Sequence, residues 1–406
     1  MTKTFAPRFA DRMAAASASE IRELLKVADQ PDILSFGGGI PDPALFPSAA
    51  MGGAIADILS DPAQAAKALQ YSVSEGDPDL RAWIAAHMTH MGCPCTPENV
   101  LITSGAQQGL DYLGRLFINP GDAVHMPWPT YLGALQAFAP NRPRHVRLDI
   151  RANTLPEDGG RSALAYVVPD FANPTGETLD AADRQTLLDM VRARDMILIE
   201  DSPYRALRFE GQAQTPIQAL DIAQCGSMEH SRVVHLGSFS KVLAPGLRVG
   251  WVCAARSIIS RLVLMKQASD LNAPRLNQMA VLSVARAGLD AQVARAVDLY
   301  RTRRDAMLSA LAHAMPPGVT WTTPAGGMFL WLTLPPAIDA AALLPRAMSE
   351  AQVAYVPGAA FFPDRRHGNC MRLSYSLAEP AQIAAGMTRL GTLLRREIEQ
   401  QKVGMQ

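Results

Sequence analysis

Short apolar runs alternate with helical patterns along most of the chain, from about residue 48 onward. The runs have four to seven residues and are apolar on both faces, which is typical of strands buried on both sides of a parallel sheet. Amphipathic segments of helical period, such as residues 180–194, lie between several of them. This alternation predicts an α/β fold with a mostly parallel sheet between layers of helices. The runs are NVLI (99–102), DAVHM (122–126), ALAYVV (163–168), MILIE (196–200), RVVHLGS (232–238) and RVGWVCA (248–254).

The pattern changes after about residue 290. A long helical pattern over 290–315 leads to the β-rich segments VTWTT and MFLWLTL, a helix, the segments YVPG and MRLSYS, and a final amphipathic pattern over 380–400. This mixture of strands and helices predicts a smaller α+β domain. We therefore divide the chain into an N-terminal arm and loop at 1–47, a large domain at 48–289 and a small C-terminal domain at 290–406, with the arm packing on the small domain.

The N-terminal arm contains two recognisable segments. SASEIRELLKVA, at residues 17–28, is predicted to be a short helix because Ser17 and Glu20 have the spacing of a capping box. SFGGGIPDPALFP, at residues 35–47, is rich in Gly and Pro and has little periodicity, which indicates a loop.

Composition narrows the class of protein. The 406 residues are 48% hydrophobic and 19% charged, which excludes a mostly disordered or fibrous chain. The 38 basic and 38 acidic residues cancel, so no nucleic-acid or membrane partner is expected. We expect a cytoplasmic protein for three reasons. The five cysteines are scattered, the N-terminus has no apolar signal core, and no apolar run reaches the ~18–20 residues of a membrane span.

Candidate chemistry lies where predicted strands end, which is where open α/β sheets bind ligands. In LITSGAQQGL, residues 101–110, a strand runs into Ser104 and Gly105, and a helix begins near Ala106. The unpaired N–H groups of a helix N-terminus attract anions, and Gly105 allows an anion to approach the backbone. This segment is a candidate phosphate cradle, although an isolated segment of this kind is more often an ordinary turn.

Two further strand ends carry polar side chains. Asn173 lies in the turn NPTG after one predicted strand, and the run MILIE delivers Asp201 to the end of the next one. A buried carboxylate requires a cation or hydrogen-bond donors, although a strand-end acid can also cap a following helix. Pro203 argues against a helix just there and keeps Tyr204 close to Asp201.

The chain has only six lysines, so few residues can supply a primary amine. Lys241 follows the run RVVHLGS, between hydroxyl and apolar residues, and can act there as a nucleophilic amine. Arg248 begins the next strand and can return to a phosphate. Arg372 lies in the apolar segment MRLS, where a guanidinium suits a substrate carboxylate, with a structural ion pair as the alternative.

Together these segments resemble the fold-type-I aminotransferases of class I and II, which use pyridoxal phosphate, and most closely the branch of the kynurenine/α-aminoadipate aminotransferases. The resemblance runs from about residue 17 to 395, and the motifs occur in the family's order and approximate spacing. They are SFGGGIPDPALFP, LQYSVSEGDPDLR, SGAQQGLD, PTYLGAL, NPTG, EDSPY, SFSKVLAPGLRVGW and MRLSYS.

The resemblance implies a role for each matching residue. Lys241 forms the Schiff base with the cofactor and moves the proton between the substrate Cα and the cofactor C4′. Asp201 pairs with the pyridine nitrogen, and Tyr204 completes the catalytic set. The other cofactor-binding residues that the resemblance implies are Ser104, Gly105, Ala106, Gln107, Tyr131 on the ring face, Asn173, Ser238, Ser240 and Arg248, with Tyr71 from the neighbouring subunit of a homodimer. Ala106 replaces a frequent hydroxyl residue, which leaves that phosphate contact to its backbone N–H.

The resemblance also implies the substrate contacts. Arg372 binds the substrate α-carboxylate, and Gly39 lines the substrate loop, which is the loop at residues 35–47. Arg22 on the 17–28 helix faces the distal carboxylate of acidic substrates. The implied substrate-binding set is Arg372, Asn173, Gly39, Arg22 and Tyr71. For Arg22, the alternative is an ion pair with a neighbouring glutamate or a solvated side chain.

The sequence therefore predicts transfer of an amino group from an L-amino acid, of aminoadipate, aromatic or branched-chain type, to a 2-oxo acid, with 2-oxoglutarate the expected acceptor. A β-lyase or decarboxylase of the same fold remains an alternative. A cofactor-binding regulator is a further one, but fewer than about 35 residues precede the substrate loop, too few for a winged helix-turn-helix. No metal is expected, because His87, His90, Cys93 and Cys95 lack the geometry for closure around an ion.

Overall fold

A computed structural model of the protein describes residues 7–15, 32–154 and 159–404, and the predicted 17–28 helix lies outside them. In the described residues, the α-helices are α1 Ser48–Ser60, α2 Pro62–Leu69, α3 Pro78–His90, α4 Ala106–Phe117, α5 Leu132–Phe138, α6 Ala181–Ala193, α7 Ile217–Cys225, α8 Arg256–Gln267, α9 Arg275–Ala314, α10 Ala340–Glu350 and α11 Pro380–Gly404. The strands are β1 Leu34–Ser35, β2 Val100–Thr103, β3 Ala123–Met126, β4 Arg144–Arg147, β5 Ser162–Val167, β6 Ile197–Asp201, β7 Val233–Ser238, β8 Gly250–Cys253, β9 Thr320–Trp321, β10 Phe329–Thr333, β11 Val353–Ala354, β12 Val356–Pro357 and β13 Cys370–Ser374.

A seven-stranded sheet is formed by strands between residues 100 and 253, in the order β2-β8-β7-β6-β5-β3-β4. All six runs predicted as strands contribute a strand to this sheet, and the residues of these six strands are buried apart from the half-buried Ser162 and Ile197. Because helices cover both faces, strands in the middle of the sheet need apolar residues on both sides. The predicted α/β fold with a mostly parallel sheet is confirmed.

The direction of β8 differs from a purely parallel arrangement. It pairs antiparallel with both β7 and β2, whereas the other neighbouring pairs of this sheet are parallel. The reason is the short connection at residues 239–249, which contains no α-helix and returns the chain beside the strand that it has just left. The apolar run does not reveal the direction of its strand, because the residues of β8 would be equally buried in a parallel and in an antiparallel arrangement.

Strand β4 at the sheet edge is not predicted by the sequence patterns. Its sequence, RHVR, has exposed arginines at both ends and half-buried residues between them, as expected of a strand that is partly open to solvent. Edge strands of this kind lack the continuous apolar run that marks the central strands.

Two smaller sheets build the C-terminal part. Strands β12, β13, β10 and β9 form an antiparallel sheet, and β1 pairs in parallel with β11 so that Leu34 lies opposite Val353. Helix α9 connects the large and small parts and bends at Gly288, whose backbone is not helical. The proposed domain boundary at residue 289 lies next to this bend. No helix in the described part of the chain is long and apolar enough to span a membrane.

Candidate active site

A cavity of about 780 Å³ opens at the carboxyl ends of the central strands. Residues that follow the strands of the seven-stranded sheet line one side, and Gly39, Phe329 and Arg372 line the other. Such a cleft is the usual ligand site of an open α/β sheet. The predicted site residues that line it are Gly39, Ala106, Gln107, Tyr131, Asn173, Asp201, Tyr204, Ser238, Ser240, Lys241, Arg248 and Arg372.

One end of the cavity has the features of an anion site. Helix α4 begins there at Ala106, directly after Gly105, whose φ of 74° is favourable for glycine. A Cβ at Gly105 would lie 2.3 Å from Nη2 of Arg248, so only glycine allows the guanidinium this close. Arg248 donates to the carbonyl oxygen of Ser104 at 3.0 Å. The helix N-terminus and the guanidinium thus converge on one place, where an anion is stabilised.

The same end of the cavity carries the two predicted hydroxyls. Ser238 is the last residue of β7, and its Oγ accepts a hydrogen bond from the backbone N–H of Ser240 at 3.0 Å. This bond folds the 238–240 turn so that both serines line the cavity. Hydroxyl donors, helix N–H groups and a guanidinium together suit the three oxygens of a phosphate.

Lys241 follows this turn and, among the described residues, is the lysine that lines the cavity. Its Nζ donates to the carbonyl oxygen of Gly39 at 2.9 Å, so the amine joins the sheet end to the substrate loop. Burial, and to a smaller extent the positive charges of Arg372 and Arg248, lower the pKa of Lys241 to about 8. A lysine with such a pKa supplies neutral amine at mildly alkaline pH.

Asp201, the last residue of β6, is also buried at the cavity. Its Oδ2 accepts a hydrogen bond from the hydroxyl of Tyr166 at 2.8 Å, and its Oδ1 has no partner among the described residues. Burial raises the pKa of Asp201 to about 6, which the Tyr166 hydrogen bond and the nearby His235 partly oppose. A buried carboxylate oxygen without a partner fits a cationic ring nitrogen that the protein does not itself provide.

Tyr166 is a site residue that sequence reasoning missed. It lies in the middle of the apolar run ALAYVV, where a tyrosine is easily taken for a packing residue. The signal was present in principle, because a buried tyrosine hydroxyl needs a partner and the neighbouring strand ends in a carboxylate. The parallel register places Tyr166 opposite Ile199, two residues before Asp201.

Arg372 on β13 faces the cavity from the small domain. It donates to Oδ1 of Asn173 at 2.8 Å and to the carbonyl oxygen of Gly37 at 2.7 Å, and its Nε has no partner among the described residues. Its guanidinium lies 4.3 Å from the ring centre of Phe329, a residue that sequence reasoning missed. Burial lowers the pKa of Arg372 to about 10. The side chain remains cationic at neutral pH and suits a carboxylate ligand.

The loop glycine Gly39 allows the substrate loop to pass close to Phe329. A Cβ on Gly39 would lie 2.6 Å from Cζ of Phe329, which is too close for a side chain unless the ring shifts. Glycine at position 39 therefore allows the loop to lie this close to the ring of Phe329 and to the amine of Lys241.

Comparison with known proteins decides which family has this arrangement. The model of the family "Aminotransferase class I and II" matches residues 32–390. This protein belongs to that family. The 2-aminoadipate transaminase of Thermus thermophilus is 41% identical over 93% of this chain and 94% of its own. The aromatic-amino-acid aminotransferase 1 of Thermococcus litoralis is 38% identical over 96% of this chain and 95% of its own.

A solved structure leads to the same family. The α-aminoadipate aminotransferase LysN of Thermus thermophilus, complexed with N-(5'-phosphopyridoxyl)-L-leucine, superposes with a TM-score of 0.86. The two chains are 38% identical, and the match covers 96% of this chain and 98% of LysN. The protein is therefore an aminotransferase, and pyridoxal phosphate is the cofactor of its family.

Two tyrosines line the aminotransferase cavity. Tyr131 immediately precedes α5, and its hydroxyl lies 3.4 Å from Oε1 of Gln107. Tyr204 is buried, and its ring packs edge-on against Phe329 with centroids 5.6 Å apart. Burial raises the pKa of Tyr204, while the charge of Arg372 and a hydrogen bond with Asn173 act in the opposite direction. The phenol is thus neutral and able to donate a hydrogen bond into the cavity.

The remaining predicted residues of the aminotransferase lie elsewhere. Ser104 and Gly105 form the turn below the anion site and do not line the cavity. Tyr71 follows α2, is 78% exposed and is not among the residues that line the cavity. Arg22 lies outside the described residues.

The His/Cys segment considered for metal binding packs into the protein in other ways. His87 stacks on Trp83 with ring centroids 5.4 Å apart, and Cys93 is buried. Cys95 approaches Cys253 with the two sulfurs 3.8 Å apart. Across the described ranges, no three His, Cys, Asp or Glu side chains group so that they could hold a metal ion.

Proposed function

We propose that this aminotransferase moves the amino group of an L-amino acid, of aminoadipate, aromatic or branched-chain type, to 2-oxoglutarate. The relatives support the donor classes, since one is named for 2-aminoadipate and another for aromatic amino acids. LysN was complexed with a phosphopyridoxyl derivative of leucine, which supports an apolar donor as well. We further propose that Lys241 joins the cofactor through a Schiff base.

One observation carries this proposal. Three groups of the described residues line the same cavity: the amine of Lys241, whose pKa is lowered, the carboxylate of Asp201, and the guanidinium of Arg372. Oδ1 of Asp201 and Nε of Arg372 are buried and have no partner among the described residues. Each of these groups is costly to bury unless a ligand completes it. An amine nucleophile, a partner for a cationic ring nitrogen and a carboxylate clamp are the three groups that amino-acid chemistry on pyridoxal phosphate requires.

The cavity lining supports an assignment of the cofactor contacts that the family resemblance implies. We assign the phosphate to the N–H groups of Ala106 and Gln107, the hydroxyls of Ser238 and Ser240, and the guanidinium of Arg248. The ring nitrogen is assigned to Asp201, the ring hydroxyl to Asn173 and Tyr204, and the ring face to Tyr131. When bound, the cofactor withdraws electrons from the substrate Cα and makes its proton acidic.

Lys241 is assigned two tasks. Its amine first holds the cofactor, and the lowered pKa leaves part of it neutral and nucleophilic near pH 8. In the cofactor-loaded enzyme, Nζ would also take the proton from the substrate Cα. The contact of Nζ with the Gly39 carbonyl, 2.9 Å long, keeps the amine on the side of the cavity where the substrate loop lies.

The substrate is held from the small domain and the arm. Arg372 binds the α-carboxylate through donors that its contacts with Asn173 and Gly37 leave available, and these two contacts fix the plane of the guanidinium. Gly39 and Asn173 complete the wall around the α-carbon. We assign Arg22 to the distal carboxylate of an acidic substrate.

We also propose a homodimer in which Tyr71 reaches the cofactor phosphate of the partner subunit. The segment around Tyr71 supports this, because Leu69, Tyr71 and Val73 are 73%, 78% and 53% exposed in one chain. A row of exposed apolar side chains is typical of a surface that a partner covers.

Complementation tests the dimer. Lys241→Ala and Tyr71→Ala each damage one component of a site that combines Lys241 of one subunit with Tyr71 of the other. In a mixed dimer, one site carries both defects and the other is intact, so unfolding and refolding the two inactive variants together is expected to restore activity. Failure to restore activity, with mixed dimers demonstrated by mass, would show that Tyr71 serves its own subunit.

A donor screen tests the reaction. Each amino acid is incubated with the holoenzyme and 2-oxoglutarate, the loss of cofactor absorbance is followed, and glutamate and the new 2-oxo acid are quantified. Aminotransfer produces the two in equal amounts. Ammonia or carbon dioxide without glutamate would instead establish a lyase or a decarboxylase.

A further inference from the structure

Lys266 is a buried lysine that the proposed reaction does not use. Its side chain, near the end of α8, is fully buried, and burial lowers its pKa. Its Nζ donates to Oε1 of Gln108 at 3.0 Å and to the two carboxylate oxygens of Asp270 at 3.0 and 3.1 Å. All three ammonium hydrogens therefore have acceptors, which is the condition for burying a lysine without a large loss of stability.

Gln108 connects Lys266 to the anion-binding turn. The same Oε1 that accepts from Lys266 also accepts the backbone N–H of Ser104 at 2.9 Å. The other end of the carboxamide donates to Oδ2 of Asp270 at 2.9 Å, so the side chain is held on both sides. Gln108 is the third residue of α4 and folds back on the backbone that precedes the helix, much as the glutamine of a capping box does.

The turn is thereby fixed from two directions. Oε1 of Gln108 accepts a hydrogen bond from the N–H of Ser104, and Arg248, which lines the cavity, donates to the carbonyl oxygen of Ser104 at 3.0 Å. The Ser104 N–H donates to Gln108 and the Gly105 N–H donates to the carbonyl oxygen of Thr103 at 2.8 Å, so the N–H groups of Ala106 and Gln107 are those left in this turn to point into the cavity. Ala106 has no hydroxyl, so the orientation of these backbone groups matters more here.

We propose that Lys266, acting through Gln108, is a positioning residue that orients the 104–107 turn for the cofactor phosphate. The inference rests on the proposed assignment of the phosphate to this turn. The ammonium polarises the Gln108 carboxamide and selects one rotamer of the glutamine, the rotamer in which Oε1 accepts the Ser104 N–H. Asp270 in turn fixes both Lys266 and the Gln108 amide.

The competing role for Lys266 is a purely structural one. A Lys–Asp pair four residues apart at the end of a helix can simply stabilise α8 and the loop that follows. Such a role would affect the whole fold and would not distinguish a ligand that carries a phosphate from one that lacks it. A positioning role predicts that loss of Lys266 weakens the binding of pyridoxal phosphate more than the binding of pyridoxal. A purely structural role predicts the same change for both ligands.

The experiment measures both affinities on full-length, cofactor-free protein. The variants are Lys266→Met, which removes the charge and keeps the length, and Gln108→Met, which leaves the Lys266–Asp270 pair in place. Lys67→Met is the control, because Lys67 is an exposed lysine on α2 that does not line the cavity. Fluorescence titration gives the dissociation constants for pyridoxal phosphate and pyridoxal, and thermal unfolding reports the stability of each variant.

We expect both test variants to bind pyridoxal phosphate about tenfold more weakly, the loss of one charge-assisted hydrogen bond, while binding of pyridoxal changes less than about twofold. The control should match the wild type for both ligands. Combining the two substitutions should add little, because both break the same connection. If Lys266→Met does not fold, Gln108→Met alone provides the same test.

Two results would overturn the inference. One is an equal loss of affinity for both ligands, and the other is unchanged affinity for pyridoxal phosphate in the Gln108→Met and Lys266→Met proteins. Failure of the proposed function looks different, because the wild type itself would then bind pyridoxal as tightly as pyridoxal phosphate.

Discussion

The hydroxyl of Tyr166 donates a hydrogen bond of 2.8 Å to Oδ2 of Asp201, from the strand next to the one that carries the carboxylate. This contact occupies one oxygen of a buried carboxylate and leaves Oδ1 without a partner among the described residues. Two effects on Asp201 then oppose each other. Burial raises its pKa to about 6, and the hydrogen bond from Tyr166 lowers it.

The first prediction concerns Tyr166→Phe. Removing the hydroxyl removes a hydrogen bond that stabilises the ionised form of Asp201, so the pKa of Asp201 must rise, with or without a bound cofactor. Since Asp201 has to be ionised to pair with a protonated ring nitrogen, the acid limb of kcat/KM should move to higher pH by about 0.5–1 pH unit. A pH–rate profile measures the shift.

Tyr355→Phe is the matched control for this variant. Its buried hydroxyl donates to the carbonyl oxygen of Ala340 at 2.8 Å in the small domain, so it also loses a buried hydrogen bond. It should lower the melting temperature and leave the acid limb in place. An unmoved acid limb in Tyr166→Phe, with a similar loss of stability, would mean that Tyr166 only packs.

The second prediction links Asp201 to stability. The folded-state pKa of about 6 lies above the ordinary value of 3.8, so the cofactor-free fold holds this proton more tightly than the unfolded chain does. Stability therefore falls as pH rises between about 4 and 6, and above that range the buried charge costs about 3 kcal/mol. In Asp201→Asn, this loss is absent.

Thermal unfolding of the cofactor-free proteins tests this sign. The melting temperature of Asp201→Asn relative to wild type should be higher at about pH 8 than at about pH 4.5, by at least ~2 °C. The variant should still bind pyridoxal phosphate through the phosphate contacts, yet lose most turnover. Near-normal turnover with amino acids would show that Asp201 does not sustain the electron-withdrawing ring.

The third prediction is that Lys241 is the lysine that carries the cofactor. Lys241→Ala should fold and bind pyridoxal phosphate but lose turnover by several orders of magnitude, because the nucleophilic amine and the proton carrier are the same group. Borohydride reduction of the wild-type holoenzyme followed by peptide mapping locates the label.

Lys67→Ala is a suitable control for that variant, since its side chain is exposed and does not line the active-site cavity. It should retain full activity. Label on the peptide of Lys266 or Lys67 would contradict the assignment. For Lys266 we expect none, because its ammonium is bonded to Gln108 and Asp270 outside the cavity lining.

The fourth prediction concerns substrate choice and Arg22, which lies outside the described residues. If its guanidinium meets the distal carboxylate of acidic donors, Arg22→Ala should raise KM for glutamate or aminoadipate about tenfold or more, the equivalent of ~1.4 kcal/mol. KM for leucine or phenylalanine should change little. A similar increase for acidic and apolar donors would indicate that the arm only closes the site.

Much of the fold and of the candidate site could be predicted from local patterns. Burial on both faces of a central strand forces a continuous apolar run, so β5 and β6 are visible as ALAYVV and MILIE. Asp201 and Lys241 are conspicuous for a related reason, because each is a charged group close to the end of such a run, where water is scarce. The roles of the site residues stay predictions that the variants above test.

Other features could not be predicted from the sequence, because they depend on contacts between residues far apart in the chain. Tyr166 and Phe329 resemble ordinary packing residues, and only the register of neighbouring strands and the approach of the small domain bring them to Asp201 and Arg372. Likewise, the edge strand β4 has no distinctive run, and nothing in RVGWVCA reveals that β8 runs antiparallel.

The sequence by itself determined the six central strands and, through the resemblance of its motifs, the family, because periodicity, turn residues and buried charges are local properties that each segment carries with it. Tertiary structure alone decided which predicted residues share a cavity, how Asp201 is left with one oxygen without a partner among the described residues, and how Lys266 contacts the 104–107 turn through Gln108. The physical reason is that burial and hydrogen-bond partners, which set each pKa and each orientation, come from segments up to hundreds of residues away, as in the contact of Arg372 with Gly37.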